Sequence, residues 1–458
     1  MQSIKKLFAP IDMTVGKPWK NLVVFTVPML IGNVFQQLYS TVDAIIVGRY
    51  VGDNALAAIG STISVLFFIF ALFIGIASGA GIMVSQYFGA KRREELSYTI
   101  GTCITMITIV AVVITVLGPL VTRPLLQLLN TPDAIMDWAV SYINILLWGI
   151  LGVAHYNILT GILRGMGDSF APLVYLIVAN VLSMALDLLF VPVFGWGVAG
   201  AAIATVIAQF VSSFLCIRRL MKMRDVFDME LKHLIPKKEY IVPMLRLGIP
   251  TGISQAVFSL AMVIVQSLIN SFGALVIACN VIVMRIDGFV MMPIFAFSTA
   301  IMVFTGQNVG AGKMDRVKQG ERQCTFLALG TSVVLVAGIL LLSKPIARLF
   351  TGTEEIVDMS ARFLMILALG YIAMAYSQVL WGIIRGAGDT ITPMWMTFIS
   401  VAIRVPAAYL LVYLMGTPDA LFISMTITWV SGTLFAVMAY RRGRWRSMGI
   451  IKRDAAEA

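Results

Sequence analysis

Charge is scarce in this chain. Only 12% of its 458 residues are Asp, Glu, Lys or Arg and 59% are hydrophobic, against about 25% charged and about 45–50% apolar in soluble domains. An ordinary soluble fold has no place for so much apolar surface, and no polar stretch is long enough to form a second, soluble domain. Histidine is nearly absent, with only His155 and His233. The four cysteines (Cys103, Cys216, Cys279, Cys324) lie singly in or beside apolar runs. With no CxxC or metal-ligand spacing, the pattern argues against a disulfide framework or a zinc site, and no metal or cofactor is expected. The N-terminus lacks a short apolar core ending in a cleavage site, so the first span is expected to be its own insertion signal. The two histidines are isolated from each other, which argues against a membrane-embedded transferase. No enzyme is expected.

What is present is a succession of apolar runs of about 20 residues or more, the length that crosses a bilayer. Twelve helices are predicted, at 21–48, 55–87, 97–120, 134–163, 170–192, 196–217, 243–270, 276–307, 322–343, 357–384, 391–415 and 418–440. The expected fold is an all-α polytopic membrane protein. With the N-terminus inside, 27 of the 34 Lys and Arg residues fall on the inner side, among them the Lys91-Arg92-Arg93 run. By the positive-inside rule both termini face the cytoplasm of a cell (plasma or inner) membrane. That placement explains the net charge of +11 without nucleic acid. The basic stretch from Arg218 to Arg246 divides the helices six and six. The predicted organisation is an N-terminal lobe (1–217), a cytoplasmic linker (218–242), a C-terminal lobe (243–440) and a basic tail (441–458), in a monomeric chain.

The halves repeat each other at an offset of 221. Gly161-Ile162-Leu163-Arg164-Gly165-Met166-Gly167-Asp168-Ser169 returns as Gly382-Ile383-Ile384-Arg385-Gly386-Ala387-Gly388-Asp389-Thr390. Gln86, Gly89 and Ala90 return as Gln307, Gly310 and Ala311, Pro172 as Pro393, and Pro28 as Pro250 at nearly the same offset. Six spans per half is an even number, so both halves insert the same way up. They form parallel repeats about an axis along the membrane normal, with the substrate site expected between them and rocking as the mode of alternating access. The RGxGD loops read first as tight turns: glycine tolerates positive φ and Asp caps the following helix. No strand precedes them, so they are not a dinucleotide fingerprint.

Charges at bilayer depth are costly and mark function. Asp43, Asp187 and Asp287 fall inside spans, as do Arg285 and Arg404. Asp43 and Asp187 each lie about five residues from the outer end of their spans, roughly 7–8 Å deep at 1.5 Å per residue. They share a half and a depth and can face one cavity. Thr205 reaches a similar depth and Ser183 is one turn from Asp187. Asn33, Gln36, Ser40 and Asp43 recur at spacings of three, four and three, which places them on one face of the first span. Two close carboxylates in a half-dry cavity suit proton coupling. Arg285 and Asp287 are two apart and cannot meet on a helix. Asp287 is expected to pair with Arg404, and the three residues form a polar set in the second half. His155 has no partner assignable from sequence. The substrate surface is expected to be apolar and adaptable, since methionine suits promiscuous surfaces and aromatic faces attract organic cations. Its candidates are Asn33, Gln36, Tyr39, Ser40, Gln255, Ser259, Met262 and Gln266.

The paired RGxGD loops, the paired Q-x-x-G-A segments (Gln86 and Gln307), the first-span Asp43 and the Phe194-Gly195-Trp196-Gly197-Val198-Ala199-Gly200-Ala201-Ala202 turn together resemble the multidrug and toxic compound extrusion (MATE) family over about residues 15–440. The resemblance implies a twelve-helix antiporter of two pseudo-two-fold-related six-helix lobes. Its cargo would be cationic or amphipathic organic compounds, exported against inward H⁺ or Na⁺. It implies that Asp43, Asp187 and Thr205 match the ion-coupling positions of the branch whose acids sit in the N-terminal lobe. The Asn that this branch carries four residues before its second Asp is Ser183 here, with Asn180 one turn away. A carbonyl ligand is thereby lost, which favours H⁺ over Na⁺. A lipid or lipid-linked oligosaccharide flippase is the nearest alternative and would want more cations in its cavity than Arg285 and Arg404.

Overall fold

The computed structural model describes residues 10–129 and 131–451, and the predicted basic residues Lys5, Lys6, Lys452 and Arg453 lie outside them. The described residues form thirteen α-helices and no strand. They are α1 (Pro18–Tyr50), α2 (Asp53–Gly89), α3 (Arg93–Leu128), α4 (Asp133–Trp148), α5 (Ile150–Gly165), α6 (Phe170–Phe190) and α7 (Gly197–Met221), then α8 (Lys238–Asn270), α9 (Ala274–Gly310), α10 (Met314–Arg348), α11 (Glu354–Gly386), α12 (Ile391–Met415) and α13 (Asp419–Arg442). Eleven are long and apolar enough to cross a membrane, and α4 with α5, bent by 54° at their junction, makes the twelfth span. The break divides the predicted fourth helix at Gly149.

Apolar surface on these helices points outward as well as inward. In α3, the most apolar window is only 11% buried, and Leu120 and Leu128 are exposed. Such a surface is stable against lipid and not against water. Helices α2 and α9 have 37 residues each, about 55 Å at 1.5 Å per residue, so their ends extend past a hydrocarbon core of about 30 Å.

The chain divides into two compact units. The first comprises Met1–Asp12 and Val27–Gly252, the second Met13–Thr26 and Ile253–Ala458. In the first, α2 packs on α3, α4 and α5, α3 on α4 and α5, α7 on α4, α5 and α6. In the second, α9 packs on α10 and α11, α10 on α11, α11 on α13, and α12 on α13. Counting α4 and α5 as one span, the pairing is the same in both units. The repeat legible in the sequence is therefore a repeat of packing. The units are drawn differently from the predicted lobes. Residues 13–26 are held in the second unit, where Gln307 Oε1 accepts the Met13 backbone N–H at 2.8 Å and Arg316 donates to the Met13 and Val15 carbonyls. The predicted linker is docked in the first unit. Arg93 donates to the Asp228 carboxylate and to the Arg224 and Asp225 carbonyls, and Thr105 donates to the Leu234 carbonyl. The Arg93 hydrogen bonds hold the Asp228 carboxyl below its ordinary range. The His233 ring stands edge-on to Tyr98, and Lys237 Nζ lies 3.5 Å above the same ring.

The repeated glycines are crossing points. A Cβ on Gly161 would stand 2.6 Å from the Ala77 carbonyl oxygen, and one on Gly382 would stand 2.5 Å from that of Ser298. Gly165 and Gly386 repeat the arrangement one turn later, against the Gly81 and Met302 carbonyls. These residues let α2 and α5, and α9 and α11, touch backbone to backbone. The turns behave as the sequence indicates. Gly167 and Gly388 take φ of +87° and +103°, and Asp168 and Asp389 accept the backbone N–H groups of Ala171 and Thr392, both at 2.9 Å. There the symmetry ends: Arg219 donates to Asp168 Oδ2 through Nε and Nη2, at 2.9 and 2.8 Å, whereas the position 221 further on is Tyr440.

Candidate functional site

The first unit brings its two membrane acids together. Asp187 on α6 is fully buried and Asp43 on α1 is partly so, and each lies within electrostatic reach of the other. Beside them is Tyr39, one turn before Asp43 and within electrostatic reach of both acids. Its hydroxyl is 3.0 Å from Ser183 Oγ and 3.2 Å from Thr205 Oγ1, so a single phenol ties α1 to α6 and α7. Tyr142 of α4, 9% exposed, faces both acids and Tyr39, and its ring belongs to the apolar cluster of Ile46, Val47, Leu146, Val198 and Ala202. That cluster forms one wall of the acid site.

The acids are short of partners. Asp43 Oδ1 and both oxygens of Asp187 are buried without a hydrogen bond, and so is the Nδ2 of Asn180. A buried polar atom without a partner costs on the order of 1–3 kcal/mol. Two carboxylates and three hydroxyls make an all-oxygen donor set. Such a set accepts a proton or a hard cation, and it has no soft ligand for a transition metal.

Five residues predicted for ion coupling were Asp43, Asp187, Thr205, Ser183 and Asn180. The structure gathers the first four around Tyr39 and leaves Asn180 buried, one turn from Ser183, outside the hydrogen-bonded set. Tyr39, expected on the substrate surface, stands at the acid site through its hydroxyl. Its sequence signal was available, since position 39 is four before Asp43 and shares its face. Tyr142 carried no such signal. It stands on another helix, and its bearing on Asp43 depends on how α4 is rotated.

The remaining first-span stripe is open. Gln36 and Ser40 are exposed and Asn33 is half-buried, and Ser40 spends its hydroxyl proton on the Gln36 carbonyl. In the second unit, Gln255, Ser259, Met262 and Gln266 on α8 are all half-buried. Gln266 donates to Asn270 Oδ1 at 2.9 Å and accepts from Asn280 Nδ2 at 3.2 Å. The expected Asp287–Arg404 pair does not close. Arg404, 4% exposed, turns its Nη2 to the Met262 sulfur at 3.6 Å. Asp287 Oδ1, Arg404 Nε and the Tyr371 hydroxyl stay buried without hydrogen bonds, although Asp287 faces both other groups. Arg285 is exposed and apart from them. The reason is geometric: α9 and α11 pack closely while α12 rests mainly on α13, so Asp287 meets Tyr371 of α11 before it meets Arg404 of α12.

The sequence matches the MatE family twice, over residues 28–189 and 250–410, once in each half. Among curated proteins it is 33% identical to the probable multidrug resistance protein YoeA of Bacillus subtilis, covering 86% of this chain and 87% of that one. It is 27% identical to the probable multidrug resistance protein NorM of Thermotoga maritima, covering 95% of each. Among solved structures, it superposes on a multidrug resistance MATE family transporter of the MOP superfamily in its outward-facing conformation. The TM-score is 0.88 at 25% identity, over 95% of this chain and 98% of the other.

Proposed function

The chain belongs to the MatE family of membrane transporters, and from that premise we propose that it is a secondary active multidrug exporter. Its cargo is cationic or amphipathic organic compounds, and it exchanges them for protons entering the cell. The observation that carries the coupling reading is the acid cluster: Asp43 and Asp187 with oxygens lacking partners, framed by Tyr39, Ser183 and Thr205. A proton added there gives a carboxylate oxygen that lacks a partner a hydrogen to donate. It weakens the mutual repulsion of the carboxylates and changes what Asp43 asks of its neighbours on α1, which carries Pro28 inside the helix and can bend at that missing hydrogen bond.

Protons are favoured over Na⁺ because Ser183 offers a hydroxyl where a carbonyl oxygen would complete a cation shell. Parallel repeats support alternating access by rocking of the halves. Relatives named for multidrug resistance support an organic cargo, and 27 methionines support a surface that adapts to many shapes. In this reading both termini face the cytoplasm and the monomer is the working unit.

The test is efflux of a fluorescent organic cation in everted vesicles, under a pH gradient or a Na⁺ gradient, for wild type and Asp43→Asn. The expected result is transport driven by the pH gradient in wild type and lost in Asp43→Asn. Absence of transport under both gradients in wild type refutes antiport, and full exchange in Asp43→Asn refutes the role of the cluster.

A further inference from the structure

Among the titratable side chains of the first unit outside the acid cluster is a histidine within a span. His155, on α5, lies six residues beyond the 54° break between α4 and α5. Its Nδ1 is 2.9 Å from the Leu151 carbonyl oxygen, and its Nε2 is 3.0 Å from Thr108 Oγ1 on α3. Thr108 Oγ1 in turn is 2.7 Å from the Ile104 carbonyl oxygen.

Counting protons exposes a shortage. A carbonyl only accepts, so Nδ1 must carry a hydrogen, and in a neutral ring Nε2 is then an acceptor. Nε2 therefore needs the Thr108 hydroxyl proton. The Ile104 carbonyl, at 2.7 Å, needs the same proton. Neutral His155 and Thr108 own two protons for three short contacts. One more proton closes the chain: Nδ1–H donates to Leu151, Nε2–H donates to Thr108 Oγ1, and Thr108 donates to Ile104. Nothing but the hydroxyl rotor has to move.

We propose that His155 is a proton-binding site at mid-depth in the first unit, separate from the acid cluster, which takes up and gives back a proton during transport through the rotation of the Thr108 hydroxyl. The proton-binding part stands on this geometry alone, whereas its place in the cycle rests on the proton-driven reading above.

The surroundings suit a site of this kind. Thr108 is fifteen residues from Arg93 and fifteen from Arg123, about 22 Å from each at 1.5 Å per residue. The titratable residues of the helices against α5 include Tyr87 on α2, Glu94, Glu95, Tyr98 and Cys103 on α3, and Asp133, Asp137 and Tyr142 on α4. They continue with Tyr175 and Asp187 on α6, and Cys216, Arg218 and Arg219 on α7. On α5 itself, Tyr156 and Arg164 face each other and Cys216. Among the described residues His155 hydrogen-bonds to Thr108 and Leu151 and to none of these. No acidic side chain among the described residues hydrogen-bonds to the ring, and the charged ring satisfies all three contacts where the neutral ring leaves one unmet. Charging the ring makes the α3–α5 bond charge-assisted and stronger, so the proton tightens the tie just past the break in the fourth span.

The chain holds only two histidines, which makes the test direct. In the full-length His233→Gln variant, ring-labelled histidine yields one set of nuclear magnetic resonance signals in lipid nanodiscs. Should that variant not fold, wild type with His155→Gln as reference assigns the same signals by subtraction. The expected result is a ring whose Nε2 gains a proton on acidification, with Nδ1 protonated throughout. The second arm is drug–proton exchange by His155→Gln, whose amide keeps hydrogen bonds but cannot hold the extra proton. The expected result is drug binding within twofold of wild type and loss of pH-driven exchange. A ring that gains no proton before the protein unfolds, or one that gains it from the other tautomer, overturns the site. A titrating ring together with intact exchange in His155→Gln overturns its role in the cycle. If wild type itself exchanges no protons, the proposed function fails while the titration still decides His155.

Discussion

The two RGxGD turns are nearly superposable in sequence, yet only one carries an ion pair, and that difference has a measurable consequence. Asp168 is 1% exposed at its side chain and Arg219 is 15% exposed. Both Nε and Nη2 of Arg219 donate to Asp168 Oδ2, while Oδ1 accepts from the Ala171 N–H. Removing one partner of a buried pair costs about 3–5 kcal/mol, because the other charge is left buried. In Arg219→Leu the carboxylate is stranded, and the partial exposure of Arg219 places the expected loss near the lower figure, about 3 kcal/mol. At about 2–4 °C per kcal/mol for a unit of this size, the apparent Tm in detergent should fall by about 6–12 °C. Asp168→Asn keeps an oxygen for the Ala171 N–H and frees the more exposed partner, so its loss should be about 1–2 kcal/mol. The double variant should regain much of what Arg219→Leu loses. Asp389→Asn in the second unit removes no ion pair and should shift Tm by less than either.

The pH dependence has a definite sign. Burial holds the Asp168 carboxyl above its ordinary value, against the pull of the Ala171 N–H and Arg219. A carboxyl raised in the fold is favoured in its protonated form, so its contribution is full at low pH and is lost as pH rises through the folded value. With Arg219 gone the pull toward ionisation weakens further, and the deficit of Arg219→Leu should shrink as pH falls from 8 to 5. The assay is differential scanning fluorimetry at both pH values. Equal losses in Arg219→Leu and Asp168→Asn, or a double variant no more stable than Arg219→Leu, would refute the account.

Other expectations follow from single contacts. Tyr39→Phe removes the bonds to Ser183 and Thr205, so it should cost about 1–2 kcal/mol in stability and impair drug–proton exchange measured in vesicles, while drug binding persists. Gly161→Leu and Gly382→Leu each drive a side chain into a carbonyl oxygen less than 3 Å away and should abolish the monodisperse peak on size exclusion. Gly60→Ala on α2 meets nothing within 4 Å and should stabilise by up to about 1 kcal/mol. Lys91 sits at φ +57°, where its counterpart is Gly312 at φ +68°. Lys91→Gly should relieve about 1 kcal/mol of left-handed strain, read as a rise in Tm.

Much of the fold was legible because bilayer and helix impose their periods on the sequence. Apolar runs set the spans, loop cations set the expected orientation, and the 221-residue offset announced two equivalent units. The packing pattern then repeats as the residues do, down to Gly161 and Gly382 at the same crossing. Depth along a helix is also one-dimensional, so Asp43 and Asp187 could be placed on one level from residue counts. Rotation about the helix axis and contact between distant helices are not. Whether an acid meets a phenol, a guanidinium or nothing depends on how neighbouring helices turn as they pack. That is why Tyr142 escaped notice, why Arg219 joins Asp168 with no echo at Tyr440, and why Asp287 faces Tyr371 instead of closing on Arg404. His155 shows the same division. Sequence alone placed it within the fourth predicted span, and only the packing of α5 on α3 set it against Thr108, where its protons can be counted.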